Sequence, residues 1–89
     1  MDTKRIRISE DCVTEILDDE LIILNLVTGK YHTLNAFGIE IWNAVKAYNP
    51  SFDELRDYLC SKFDGEGIVE DTLEFVQEMV DREIFLTDL

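Results

Sequence analysis

The spacing of hydrophobic positions changes partway along the chain. From Cys12 to Leu34 they alternate or cluster in short branched runs, and from Ala36 onward they recur every three to four residues. Cys12-Val13-Thr14-Glu15-Ile16-Leu17 reads as a strand, Asp18-Asp19 as a tight polar turn, and Glu20 to Leu26 as a second strand. The second run is apolar on both faces, which predicts a central strand covered on each side. Thr28-Gly29 supplies a hairpin loop, with glycine free to take a positive φ, and Lys30 to Leu34 follows as a third strand. This third strand reads as an exposed edge, being short and carrying Lys30, His32 and Thr33. Arg5-Ile6-Arg7-Ile8 is a further stretch able to pair.

Three helices follow. Asn35 is placed to cap the first, over about Ala36 to Ala47. Phe37, Ile41, Ala44, Val45 and Tyr48 form its buried stripe, widened by Ile39 and Trp42. Asn49-Pro50 stops it. Ser51 with Glu54 is a capping box opening the second helix, whose apolar face is Phe52, Leu55, Leu59 and Phe63. Gly65 reads as a left-handed stop after it. The third helix runs from about Val69 to Arg82, with a stripe of Val69, Leu73, Val76, Val80 and Ile84 and a narrower line of Phe75 and Met79 beside it. Ile84-Phe85-Leu86 is expected to pack back. Strands followed by helices make an α+β chain, and 89 residues make one domain over residues 1–89.

Charge narrows the function. The chain holds 20 acidic against 8 basic residues, a net of -12. Twelve of the acids and three of the bases lie after residue 50. Such a surface opposes a phosphate backbone, so nucleic acid is not expected as a partner. It favours solubility, and it would steer a basic partner. No run is long enough for a membrane span, and no apolar segment follows the basic start, so a cytoplasmic location is expected.

The residue inventory argues against an enzyme. Cys12 and Cys60 stand 48 positions apart with no Cys or His cluster, so two buried free thiols are expected and no zinc site. His32 is the single histidine and sits mid-strand. No nucleophile elbow and no phosphate-binding glycine pattern occurs. Asp64, Glu66, Glu70 and Asp71 lack the spacing of a calcium loop. No cofactor or metal is expected. A binding module remains, with an unpaired strand edge able to accept an extended peptide.

The string Leu24-Asn25-Leu26-Val27-Thr28-Gly29-Lys30-Tyr31-His32-Thr33-Leu34-Asn35, followed by Ile41-Trp42, resembles the PqqD-like family. Phe52-Asp53-Glu54-Leu55, Phe63-Asp64 and the segment from Val69 to Met79 fit the same pattern. The resemblance implies a winged helix-turn-helix: an N-terminal three-stranded antiparallel sheet followed by three helices. It also implies a recognition domain for ribosomally made precursor peptides, acting as a stand-alone chaperone. The leader would add as a strand beside the third strand, at Lys30, Tyr31, His32, Thr33 and Leu34. It would also lie on the third helix at Thr72, Phe75, Val76 and Met79, with Phe75 and Met79 lining an apolar groove. Leu34, Ile41, Trp42 and Leu73 are assigned to the core. The implied partner is a radical SAM enzyme, as in pyrroloquinoline quinone biosynthesis, or a leader peptidase, as in lasso-peptide systems. The chain would be a monomer or a strand-swapped dimer. His32 stands where family members often carry a second aromatic, and Arg82-Glu83 where many carry glycine. Two other readings compete. One is an acidic protein–protein adaptor without a peptide ligand. The other is a winged-helix regulator, opposed by the acidic third helix with its single Arg82.

Overall fold

The computed structural model describes residues 4–63 and 65–87, so Asp64 of the acidic loop lies outside the described residues. The elements run β1 (Ile6–Ile8), β2 (Cys12–Leu17), β3 (Glu20–Asn25), β4 (Tyr31–Leu34), α1 (Ala36–Tyr48), α2 (Phe52–Lys62), α3 (Ile68–Asp81) and β5 (Phe85–Thr87). This is the expected α+β order. β2, β3 and β4 form an antiparallel three-stranded sheet in that order, and β1 pairs antiparallel with β5. The Arg5–Ile8 stretch therefore finds its partner in the C-terminal tail. No helix among the described residues is long and apolar enough to cross a membrane.

Local chemistry sets most boundaries. Asp18 takes φ 54 in the two-residue turn between β2 and β3, and Gly29 takes φ 73 before β4. Both are left-handed positions that short hairpins require. The Asn35 side chain accepts from the Gly38 amide at 3.2 Å, satisfying one free donor at the start of α1. Ser51 and Glu54 make the reciprocal capping box, at 3.2 Å and 3.0 Å. The Ser51 amide, joined by Arg5, holds the Glu54 carboxyl below the usual range. The box therefore contributes fully at neutral pH and weakens as pH falls through that lowered range.

The core lies between the helices and one face of the sheet. Ile23, Ile41, Val45, Leu59, Met79 and Phe85 are fully enclosed. Phe85 stacks on Trp42 and meets Phe75 edge-on, with ring centroids 6.1 Å apart in both pairs.

Several expectations are corrected. The second strand ends at Asn25, and Leu26 already belongs to the loop. β3 is central but covered on one face only: Leu21, Ile23 and Asn25 are buried, whereas Ile22 and Leu24 are half-buried beside exposed Val13 and Tyr31. Tyr48 is 75% exposed, because α1 outruns the core in its last turn. Gly65 does not cap α2. The helix ends on Phe63 in extended conformation, and the left-handed glycine is Gly67, at the start of α3. Cys60 is exposed and Cys12 half-buried, both free.

The stripe on α3 is also rotated from the expected one. Thr72, Val76 and Met79 face inward, while Val69 and Leu73 are exposed. Thr72 looks polar in sequence, but its hydroxyl donates to the Ile68 carbonyl at 2.7 Å, so it enters the core with its donor satisfied.

Candidate functional site

Among the described residues β4 pairs with β3 on one side only, so its other edge is free. The Asn25 amide donates to the Lys30 carbonyl at 2.9 Å, and Leu24, Ile23, Ile22 and Leu21 then face Tyr31, His32, Thr33 and Leu34 in turn. Hydrogen-bonded and non-bonded pairs alternate in an antiparallel ladder. His32 and Leu34 therefore turn their backbone groups toward β3. Tyr31 and Thr33 turn theirs to the free edge. Side chains alternate as well: Leu34 is buried on the helix side, whereas Tyr31 is 71% exposed on the opposite face.

α3 passes this edge in the opposite direction to β4, and two contacts fix its course. At one end, Asn25 Nδ2 donates to the carbonyls of Glu83, at 3.1 Å, and Arg82, at 3.5 Å. At the other, Leu34 and Phe75 both close on Gly38. A Cβ placed there would stand 3.0 Å from the Phe75 ring and 3.2 Å from the Leu34 Cβ. Glycine permits that approach.

Between the β4 edge and α3 lies an open groove of about 840 Å³. Lys30, Tyr31 and His32 line one wall, and Leu73, Glu74, Gln77, Glu78 and Asp81 line the other. Arg82, Glu83 and Ile84 close the end beside Asn25. The helical wall is acidic. Arg82 is engaged by Glu78 at 3.2 Å, and Gln77 donates to Asp81 at 3.1 Å. Neither cysteine nor serine lines the groove. Burial raises the Cys12 thiol pKa, and it sits on β2, away from this wall. The groove thus offers backbone donors and acceptors, one exposed leucine and a field favouring cations. These suit binding of an extended chain.

The expected site residues divide in two. Lys30, Tyr31 and His32 line the groove, and Thr33 and Leu34 continue the same strand. On α3, Thr72, Val76 and Met79 are buried and offer no surface, while Phe75 is half-buried against Phe85. Leu73, assigned to the core from its spacing, is 54% exposed and lines the groove. Gln77 and Asp81 follow it at four-residue steps. That row is visible in the sequence as the polar continuation of an exposed leucine, once Thr72 is counted as buried.

Asn25 joins the site to the fold. It is buried, and its Oδ1 accepts from the amides of Val27, at 2.9 Å, and Thr28, at 3.3 Å, while its Nδ2 holds the end of α3. Asn25→Ala removes all of these bonds and leaves the amides without their acceptor. Urea denaturation is expected to show a loss of about 2–3 kcal/mol. A loss under about 0.5 kcal/mol would mean that this tether carries no weight.

Comparison with known proteins follows the same lines. The family described as Coenzyme PQQ synthesis protein D (PqqD) matches residues 20–84. A solved structure of TbiB1 in complex with the TbiA(beta) leader peptide is 27% identical to this chain. It superposes with a TM-score of 0.75 over 89% of this chain and 93% of that one. A structure of lasso peptide synthetase B1 complexed with the leader peptide shares the fold at 18% identity. Its TM-score is 0.77 over 92% of this chain and 98% of that one. No curated protein matches.

Proposed function

The chain belongs to the PqqD family, and on that premise we propose that it binds the leader segment of a precursor peptide and presents it to a modifying enzyme. The leader adds to β4 as a fourth, antiparallel strand and lies against α3. The observation that carries this reading is the free β4 edge, whose outward backbone groups open beside the α3 groove. Strand addition supplies affinity through main-chain hydrogen bonds and leaves specificity to alternate side chains. An added strand running antiparallel to β4 runs parallel to α3, so its helix-side residues pass Leu73 first and Asp81 last. The receiving enzyme is of the radical SAM or leader-peptidase class. No chemical step falls to this chain. The acidic α3 wall works against the DNA-binding alternative.

The test is an amide titration with synthetic leaders taken from short reading frames beside the gene. The amides of Tyr31 and Thr33 are expected to gain exchange protection on binding. Those of His32 and Leu34, already held by β3, change little. Tight binding that leaves Tyr31 and Thr33 unprotected would rule out strand addition.

A further inference from the structure

Among the described residues no strand pairs with the other edge of the sheet either, and its chemistry is self-complementary. β2 pairs with β3 over six positions without a bulge. The Leu26 amide donates to the Asp11 carbonyl at 2.8 Å, which makes that pair a bonded one. By alternation, Val13, Glu15 and Leu17 then bond to β3. Cys12, Thr14 and Ile16 point their backbone groups outward. The Cys12 amide is taken by the Ser9 carbonyl at 3.3 Å. The Cys12 carbonyl and both groups of Thr14 and Ile16 remain on the open edge. Natural edges are guarded by lysine, proline or bulges. β2 has none of these; its one charge is Glu15, and the Ser9 turn lies against the edge only at Cys12. It carries Val13, Ile16 and Leu17 at 48%, 73% and 52% exposure.

We propose that β2 is a dimerisation edge, pairing antiparallel with β2 of a second copy about a two-fold axis through Thr14. Symmetry, overlap and charge select this register, since centring on Cys12, Ile16 or Leu17 pairs at most three β2 residues of each copy. Residues directly opposite in an antiparallel pair share a face. A two-fold axis normal to the sheet therefore allows only pairings whose residue numbers sum to an even value. Centring on Glu15 would set two glutamates face to face, and centring on Val13 would set Asp11 against Glu15 of the second copy. Centring on Thr14 places Cys12 opposite Ile16 of the second copy and Val13 opposite its Glu15. The two Thr14 residues exchange both of their bonds, and each Ile16 amide donates to the Cys12 carbonyl of the second copy. The like charges directly opposite, Glu10 with Asp18 of the second copy, lie in the turns beyond the strand, and the two Glu15 side chains stand diagonally across the axis.

The helix layer leaves room for this arrangement. Ile16 shares a face with buried Leu21, yet it is the most exposed of the β2 apolar residues, so the core does not extend beneath the Ile16 end of β2, although Cys12 at the other end packs against it. The product is a continuous six-stranded sheet. Its two β4 edges, with their grooves, face outward at opposite ends, so each dimer presents two separate sites. Small interfaces of this kind are weak, and each copy carries a net charge of -12. Salt should therefore tighten the dimer by screening.

Sedimentation equilibrium of the full chain tests the proposal at roughly 0.05 M and 0.5 M salt. The expected result is a reversible dimer whose dissociation constant falls several-fold at the higher salt. Thr14→Pro removes the central outward donor and leaves the β2–β3 ladder intact, so it should stay folded and become monomeric. The register is read by oxidising a mixture of Val13→Cys and Glu15→Cys variants, each made with Cys12→Ser and Cys60→Ser. The mixed disulfide should well exceed the two homodisulfides combined, which random pairing would only equal. A chain that stays monomeric in both salts and forms no crosslink overturns the proposal. So does a predominance of either homodisulfide, which would mean a different register.

Discussion

Phe85→Ala is expected to bring the domain close to global unfolding. The ring is fully enclosed, packed against Trp42 and Phe75. Its strand also pairs with Ile8 of β1, so the residue joins both chain ends to the helical core. Removing a buried phenylalanine costs about 3–5 kcal/mol through lost transfer energy and the cavity left behind. A chain of 89 residues has roughly 4–13 kcal/mol to lose. The urea midpoint followed by circular dichroism should fall by at least about 2 M. Fluorescence of the single Trp42 should report the same transition, because that ring stacks on Phe85. A midpoint shift under about 0.5 M would show that the tail strand is dispensable and that β1 and β5 are a local addition to the fold.

How much of this was legible in the sequence depended on whether the signal was local. Asp18-Asp19, Thr28-Gly29, Asn35 and the Ser51–Glu54 box each act on backbone groups a few residues away, and the structure places turns or caps at all four. Properties set by distant neighbours were less visible. The apolar run of β3 predicts cover on both faces, but no second layer lies over its outer face, where Ile22 and Leu24 are only half-buried. Tyr48 keeps helical spacing with Ile41 and Val45 but lies past the end of the core. Gly65 and Gly67 are equally plausible stops in sequence, and the left-handed site falls on Gly67. The phase of α3 was the costliest ambiguity. Its apolar residues admit two overlapping stripes, and the choice between them rests on Thr72, whose hydroxyl is satisfied by its own helix. That choice decides which residues face the groove. The β4 edge was legible because a short strand with polar positions is its own signal.

The same ambiguity makes a paired substitution on α3 the sharpest test of the site. Leu73→Asp changes an exposed side chain on the groove wall. It should leave stability within about 0.5 kcal/mol of the parent, as surface changes do. It also puts a fifth carboxylate beside Glu74, Glu78, Asp81 and Glu83 and removes the apolar contact at the end where an added strand would enter. Leader affinity is expected to fall at least about tenfold, a difference of roughly 1.4 kcal/mol. Met79→Asp places a charge where no solvent reaches and should unfold the domain outright. Calorimetric titration with the leader, read beside urea denaturation of each variant, separates the two effects. Should Leu73→Asp bind the leader as tightly as the parent, α3 would be excluded as a wall of the site, leaving β4 alone. Should Met79→Asp stay folded and lose only binding, the α3 stripe would have the opposite phase in solution, with Met79 turned to the groove.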